Sequence, residues 1–297
     1  MHLNPLTTKL IGYISFKPET TLHIGVGGWG VVREIIKING EKTIIPNSSW
    51  KGVFRQIAEN IAKKLNLKGL ENIAVESYIE KDEGVTYDIK DSRLLKDFTK
   101  TLRGEGNFFG YTQENLIEFL RHLDYGQAEI KALSEDTTEA KRALTNIIAM
   151  HCPIGRLFGN TTIAGKLRFL DTIISYTPHL KPGIGIDRSS NTVKEDQLYF
   201  LECASIDSSI PLRLIADNLE PKKTDSMLFG TILEYVEKLG LQIGARKSVG
   251  LGALKMIDAQ FHLVELARDN GGCGLANPFK YGKKMTLQQL VGWLRYE

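Results

Sequence analysis

Cysteine is scarce in this 297-residue chain, which has only three. Cys152, Cys203 and Cys273 lie far apart and form no CxxC pair. Neither a disulfide framework nor a Cys-based zinc site is expected, and a reducing cytoplasm is the natural setting. Histidines are poorly placed for a metal. His23, His122, His179 and His262 have no partner at zinc-ligand spacing, and His151 and Cys152 are adjacent, which aims them apart on most backbones. These read as packing or surface residues, so no metal site and no cofactor is expected. No Ser–His–Asp arrangement can be argued from spacing. Charge of one sign is not in excess: 38 Lys and Arg against 35 Asp and Glu leave +3. Any polyanion site must therefore come from local clustering. Long apolar runs are also missing. No 18 residues run apolar without a charge, and residues 1–10 lack the apolar core of a signal peptide, so no membrane contact is expected.

What is present is the composition of a folded chain, 42% hydrophobic and 25% charged, which excludes disordered and fibrous classes. The length allows about two units of core. Residues 10–16 (LIGYISF) form a β run ended by Pro18, residues 21–24 follow, and a glycine-rich bend spans 25–30. Residues 31–38 (VVREIIKI) and 43–45 flank Asn39-Gly40, the strongest short-range hairpin signal, because both central residues of a type I′ turn need positive φ. After Pro46, Asn47-Ser48-Ser49 offer helix caps. Trp50, Val53, Phe54, Ile57, Ala58, Ile61 and Leu65 then recur at helical spacing, with Lys51, Arg55 and Glu59 on the other face.

Residues 71–91 carry seven acids against two lysines and should face away from nucleic acid. Helical patterns follow at 113–123 and 139–150, so residues 70–150 read as an inserted, mainly helical segment. Strand patterns return at 165–174, 197–204 and 210–214, with a loop or extended finger from Lys181 to Arg188. A second amphipathic helix starts near Thr224, carries Leu228, Ile232, Tyr235 and Leu239, and closes at Gly240; a strand runs from 253 to 257. The order β, helix, insertion, β, β, helix, β fits an α+β fold with a ferredoxin-like or RRM-like split βαβ core. The expected division is a core of residues 1–69 and 151–262, the insertion 70–150, and a C-terminal extension 263–297.

Three segments invite functional readings. Gly25-Val26-Gly27-Gly28-Trp29-Gly30 satisfies G-x-G-x-x-G, but a hairpin strand follows where a dinucleotide site needs a helix, so a flexible strand-to-strand loop is the better reading. The stretch 244–252 (GARKSVGLG) lacks the Walker Gly-Lys pair. It leaves a basic glycine-rich loop whose backbone can approach a phosphate while Arg246 and Lys247 neutralise it. The bland alternative is a surface turn with two solvated cations. The stretch 45–55 (IPNSSWKGVFR) puts serine hydroxyls and free N–H groups at a helix start, with Lys51 and Arg55 one turn apart and no acid between Thr43 and Ile57. An ordinary capped amphipathic helix would look the same.

Jointly these segments resemble a family. Residues 45–55 are similar to the "IPGSSLKGVLR" signature of the RAMP superfamily of CRISPR-associated proteins, and Cys152-Pro153-Ile154-Gly155-Arg156-Leu157-Phe158-Gly159 to its "C…LFG" element. Gly185-Ile186-Asp187-Arg188, Gln197-Leu198-Tyr199-Phe200 and Glu202 resemble "RIxIDRxTGTA…LFxxE", and 244–252 resembles the family's C-terminal glycine-rich loop. The resemblance implies an RRM-like core with a thumb-like β finger. It implies a backbone subunit of a type III effector complex in antiviral defence, stacked head-to-tail with other RAMP subunits on a guide RNA that pairs with a complementary target RNA. Ser48, Ser49, Lys51, Arg55, Arg246, Lys247 and Ser248 would then hold guide phosphates, and Arg188 would lie in the finger that crosses the duplex.

One departure matters. Target-cleaving members carry an Asp in the first loop, in a stretch like "GGIDSPVIRD"; here Val31-Val32-Arg33-Glu34 matches "VIRD" and Gly28 stands near the Asp position. The loop holds no acid between Gly25 and Val32, and a metal-assisted cut needs a carboxylate to hold the cation. Glu34 is nearest, but strand alternation and its match to a different position of the stretch argue against it. The expectation is a guide-binding subunit with no catalytic residue. The alternative is a RAMP endoribonuclease that cleaves target RNA or processes guide precursor, with His23 as the candidate acid or base. A nucleotide-dependent enzyme rests on the Gly25–Gly30 pattern alone.

Overall fold

The computed structural model describes residues 5–27, 32–39, 41–64, 93–108, 110–135, 138–159, 164–187, 189–190, 192–266 and 272–296. The acid-rich stretch 71–91, Gly28 and Arg188 therefore lie outside the described residues. The chain is α+β and divides into two compact units, Asn4–Leu65 with Lys166–Glu297, and Asn66–Gly165.

The first unit is built on a split βαβ sheet. Strand β1 (Thr8–Pro18) alternates buried and exposed residues, as a strand with one face on a core must. It leads through β2 (Val32–Arg33), β3 (Lys37–Asn39) and β4 (Lys42–Ile45) to helix α1 (Asn47–Lys64). Later come β5 (Leu167–Phe169), β6 (Thr172–Ser175), the long pair β7 (Thr177–Ile186) and β8 (Val193–Ser205), and β9 (Ile210–Asp217). Helix α7 (Thr224–Leu239), β10 (Leu241–Gln242) and β11 (Ala253–Glu265) complete the core. The central strands run in the order β11-β1-β9-β5, each pair antiparallel. With α1 between β1 and β5, and α7 between β9 and β11, this is the β-α-β-β-α-β ferredoxin-like topology. Leu10, Ile14 and Phe16 of β1 and Leu212 and Leu214 of β9 are fully buried, as are Trp50, Phe54 and Ala58 of α1. Phe16 stacks on Trp50 with centroids 5.5 Å apart, and the indole N–H donates to Thr172 Oγ1 at 3.1 Å. The aromatic therefore buries its ring without stranding its polar atom.

Several local expectations needed correction. Residues 31–38 are not one strand: β2 pairs in parallel with β8, Ile35 bridges to Gly25, and β3 pairs antiparallel with β4. The 165–174 run divides at Leu170-Asp171 because β5 joins the central sheet while β6 pairs with β4. On α7, Leu228 and Ile232 are buried, but Tyr235 and Leu239 are exposed, with Phe229, Leu233 and Val236 inside instead. The reason is a second neighbour: helix α10 (Leu287–Tyr296) packs on α7, turning its apolar stripe. The β finger needs no such correction: β7 and β8 form a long hairpin, Thr177 pairing with Ser205 and Ile184 with Leu198. Past β11 come the short helices α8 (Gly272–Ala276) and α9 (Pro278–Tyr281), then β12 (Lys283–Thr286), which pairs with β11.

The second unit is helical where described: α2 (Arg93–Leu102), α3 (Gln113–His122), α4 (Gln127–Leu133), α5 (Thr138–His151) and α6 (Pro153–Phe158). Leu95, Phe98, Leu116, Leu120, Leu133, Leu144 and Ile147 form its own core. Among the described residues no helix is long and apolar enough to cross a membrane.

Candidate nucleic-acid interface

Three segments of the core unit converge. The first is the start of α1. Asn47, Ser48 and Ser49 lie inside the first helical turn rather than capping it. The Pro46 carbonyl accepts from the N–H groups of Ser49 and Trp50, and Asp171 Oδ1 accepts from Asn47 N–H at 2.6 Å. Among the described residues no acceptor is recorded for the Ser48 N–H, and Ser48 is exposed. Its amide and hydroxyl are donors at the positive end of the helix. Lys51 is half-buried one turn on. Arg55 donates from Nε to Glu59 Oε1 at 3.2 Å, so an acid offsets its charge.

The second segment is the glycine-rich loop. Its base is closed by Ile243 N–H donating to the Gly252 carbonyl at 2.9 Å, and it docks through Ala245 N–H on the His23 carbonyl at 2.8 Å. Two positions demand glycine: Gly244 (φ +89), where a Cβ would stand 2.5 Å from the His23 oxygen, and Gly252 (φ +80), where it would overlap the Ile243 oxygen. Arg246 adopts a left-handed backbone (φ 60), and a short 3₁₀ turn Lys247–Val249 follows. Lys247 Nζ reaches Gln56 Oε1 of α1 at 3.5 Å, and partial burial pulls its ammonium below the ordinary lysine value. Ser248 is exposed.

The third segment joins the first loop to β8. The guanidinium carbons of Arg33 and Arg246 lie 4.9 and 5.0 Å from the Tyr199 ring centroid. A side chain at Gly183 would overlap that ring, so β7 supplies a glycine there. Arg33 Nε is buried without a hydrogen-bond partner among the described residues. Arg33 and Tyr199 were missed as site residues: each looks ordinary locally, and only the parallel β2–β8 register brings them together. Glu202, buried, accepts from Ile35 N–H at 3.2 Å and pairs with Lys37 at 2.9 Å, fastening the first loop to β8.

His23 is buried, and its Nδ1 lies 2.7 Å from the Glu202 carbonyl oxygen. A carbonyl can only accept, so Nδ1 donates, and Nε2 is the ring nitrogen left for other partners. A cavity of about 460 Å³ is lined by His23, Gly25, Gly27, Arg33, Glu34 and Ala245. The alternation argument against Glu34 therefore fails: Glu34 falls between β2 and β3, outside either strand, and shares the cavity with His23. Among the described residues no group of three or more His, Cys, Asp or Glu is arranged to hold a metal.

A ferredoxin-like sheet with a basic glycine-rich loop held against its first helix offers backbone N–H groups and positive charge of the kind that phosphates meet. The family model of the RAMP superfamily matches residues 15–255, and the chain belongs to that superfamily. A CRISPR-associated role in RNA binding or processing follows from that membership. No curated protein matches the chain significantly.

Proposed function

We propose that the chain is a guide-RNA-binding backbone subunit of a type III CRISPR effector complex that leaves target RNA uncut. The observation that carries this reading is the contact of Lys247 with Gln56, which sets the basic loop against the middle of α1, about 12 Å along the helix from Ser48. Ser48, Ser49, Lys51, Arg246, Lys247 and Ser248 would meet successive phosphates; Arg55, paired with Glu59, would contribute through the shared field. Arg188, outside the described residues, stays assigned to the finger by resemblance. The first loop carries no carboxylate from Gly25 to Arg33, which supports a non-cutting role. The core, insertion and extension division and the head-to-tail contacts with sister RAMP subunits belong to the same proposal. Ultraviolet cross-linking of the chain to single-stranded RNA should place adducts in residues 46–55 and 244–252. Adducts confined to other segments would refute it.

One observation favours a second reading, an endoribonuclease. The His23 ring, with Nδ1 spent on the Glu202 carbonyl, and the carboxyl group of Glu34 share one cavity with Arg33, residue types that can move a 2′-hydroxyl proton. RNA cleavage abolished by His23→Ala and reduced by Glu34→Gln would establish it; RNA left intact by the unaltered chain would remove it.

A further inference from the structure

Helices α1 and α7 cover one face of the central sheet, and alternation along β1 sends Ile11, Tyr13 and Ser15 to the other. Tyr13 sits in mid-strand on one of the two central strands, yet it is 39% exposed. The register places it between Arg213 of β9 and Gln260 of β11. Helix α9 brings Phe279, 54% exposed, to a centroid distance of 6.2 Å from Tyr13 and 5.2 Å from His262. Tyr281, also half-exposed, follows two residues on.

Cations surround these rings. Lys280 Nζ lies 5.1 Å from the Tyr281 centroid, Lys284 stands opposite His262 in the β11–β12 register, and Arg213 is exposed. Asp217, further along β9, is offset by Lys9 and Arg168. Asp258 faces Ser15. His262 Nδ1 is buried without a hydrogen-bond partner among the described residues. The local sequence Phe279-Lys280-Tyr281-Gly282-Lys283-Lys284 thus interleaves aromatics and cations.

Aromatic rings displayed on the central strands of such a sheet stack unpaired bases, and flanking cations track the phosphates. The lysines argue against a protein partner, since interface cores are depleted in Lys. We propose that this face is a second RNA site, which stacks bases of single-stranded RNA on Tyr13 and Phe279 while Arg213, Lys280 and Lys284 meet the backbone. It goes beyond the guide-binding reading, sharing no residue with that site.

The test is binding of labelled oligouridylate and of a mixed-sequence single-stranded RNA to the full chain. It is run in the unaltered chain and in a Lys247→Ala background, so that the loop site does not mask the result. Stacking is worth ~1–3 kcal/mol per base, so Phe279→Ala and Tyr13→Ala should each weaken binding at least fivefold, and Tyr13→Phe should not. Lys284→Glu, on an exposed side chain, repeats the test without touching a ring. Cross-links to Tyr13 or to residues 278–284 that persist in the Lys247→Ala chain support the site. Unchanged affinity in Phe279→Ala and Lys284→Glu would overturn it, as would loss of self-association in Phe279→Ala with RNA affinity intact.

Discussion

The Lys247 ammonium lies 3.5 Å from the carboxamide of Gln56, a residue 191 positions earlier in the chain. That contact turns a loop and a helix, each unremarkable alone, into one basic surface. Lys247→Ala should weaken binding of all single-stranded RNA sequences alike and lower the slope of log affinity against log salt by about one contact. Because burial lowers the Lys247 pKa, its charge is present below that lowered value and is lost, as pH rises, earlier than for an exposed lysine. Affinity should fall with it, and Lys247→Arg should move that loss to higher pH. Fluorescence titrations across salt and pH check both; sequence-selective loss would contradict a backbone contact.

The loop's geometry depends on Gly252, whose positive φ and overlap with the Ile243 oxygen leave no room for a methyl group. Gly252→Ala should cost at least about 1–3 kcal/mol through backbone strain and a lowered melting temperature should show it. Gly250→Ala, at φ +84 with no atom within 4 Å of the added Cβ, should cost less.

Glu202 holds the first loop in place from β8. Glu202→Ala strands the buried Ile35 N–H and should destabilise the fold by about 1–3 kcal/mol in urea unfolding. The hydrogen bond to Glu202 raises the Lys37 pKa above 10.5. Since the folded value is the higher, the pair's contribution is fully present below the unfolded value and is lost as pH rises through the raised one. The alanine variant should lack that alkaline component.

The split βαβ core was legible because its strands alternate and its two helices carry clear apolar stripes, Trp50 to Ile61 and Leu228 to Ile232. The β3–β4 hairpin was legible, but not its turn: Asn39 ends β3 and pairs with Lys42 without the positive φ that a type I′ turn at Asn39-Gly40 requires. The candidate loop at 244–252 was legible from its glycines and cations, but its partner Gln56 was not, because nothing in local sequence encodes a contact across 191 residues. Arg33 and Tyr199 escaped for the same reason. Tyr235 was misplaced because periodicity reports an apolar face without saying which neighbour, here α10, covers it. Strand alternation could not place Glu34, because the three residues Glu34–Ile36 between β2 and β3 interrupt the strand.

The most direct test of the central claim uses purified chain with labelled single-stranded RNAs of increasing length, across a salt series, with and without Mg²⁺, read for binding and for cleavage together. A guide-binding, non-cutting subunit predicts affinity that rises with length and falls with salt while every RNA stays intact. Discrete cuts that need Mg²⁺, or cuts without metal that vanish in His23→Ala, would contradict it.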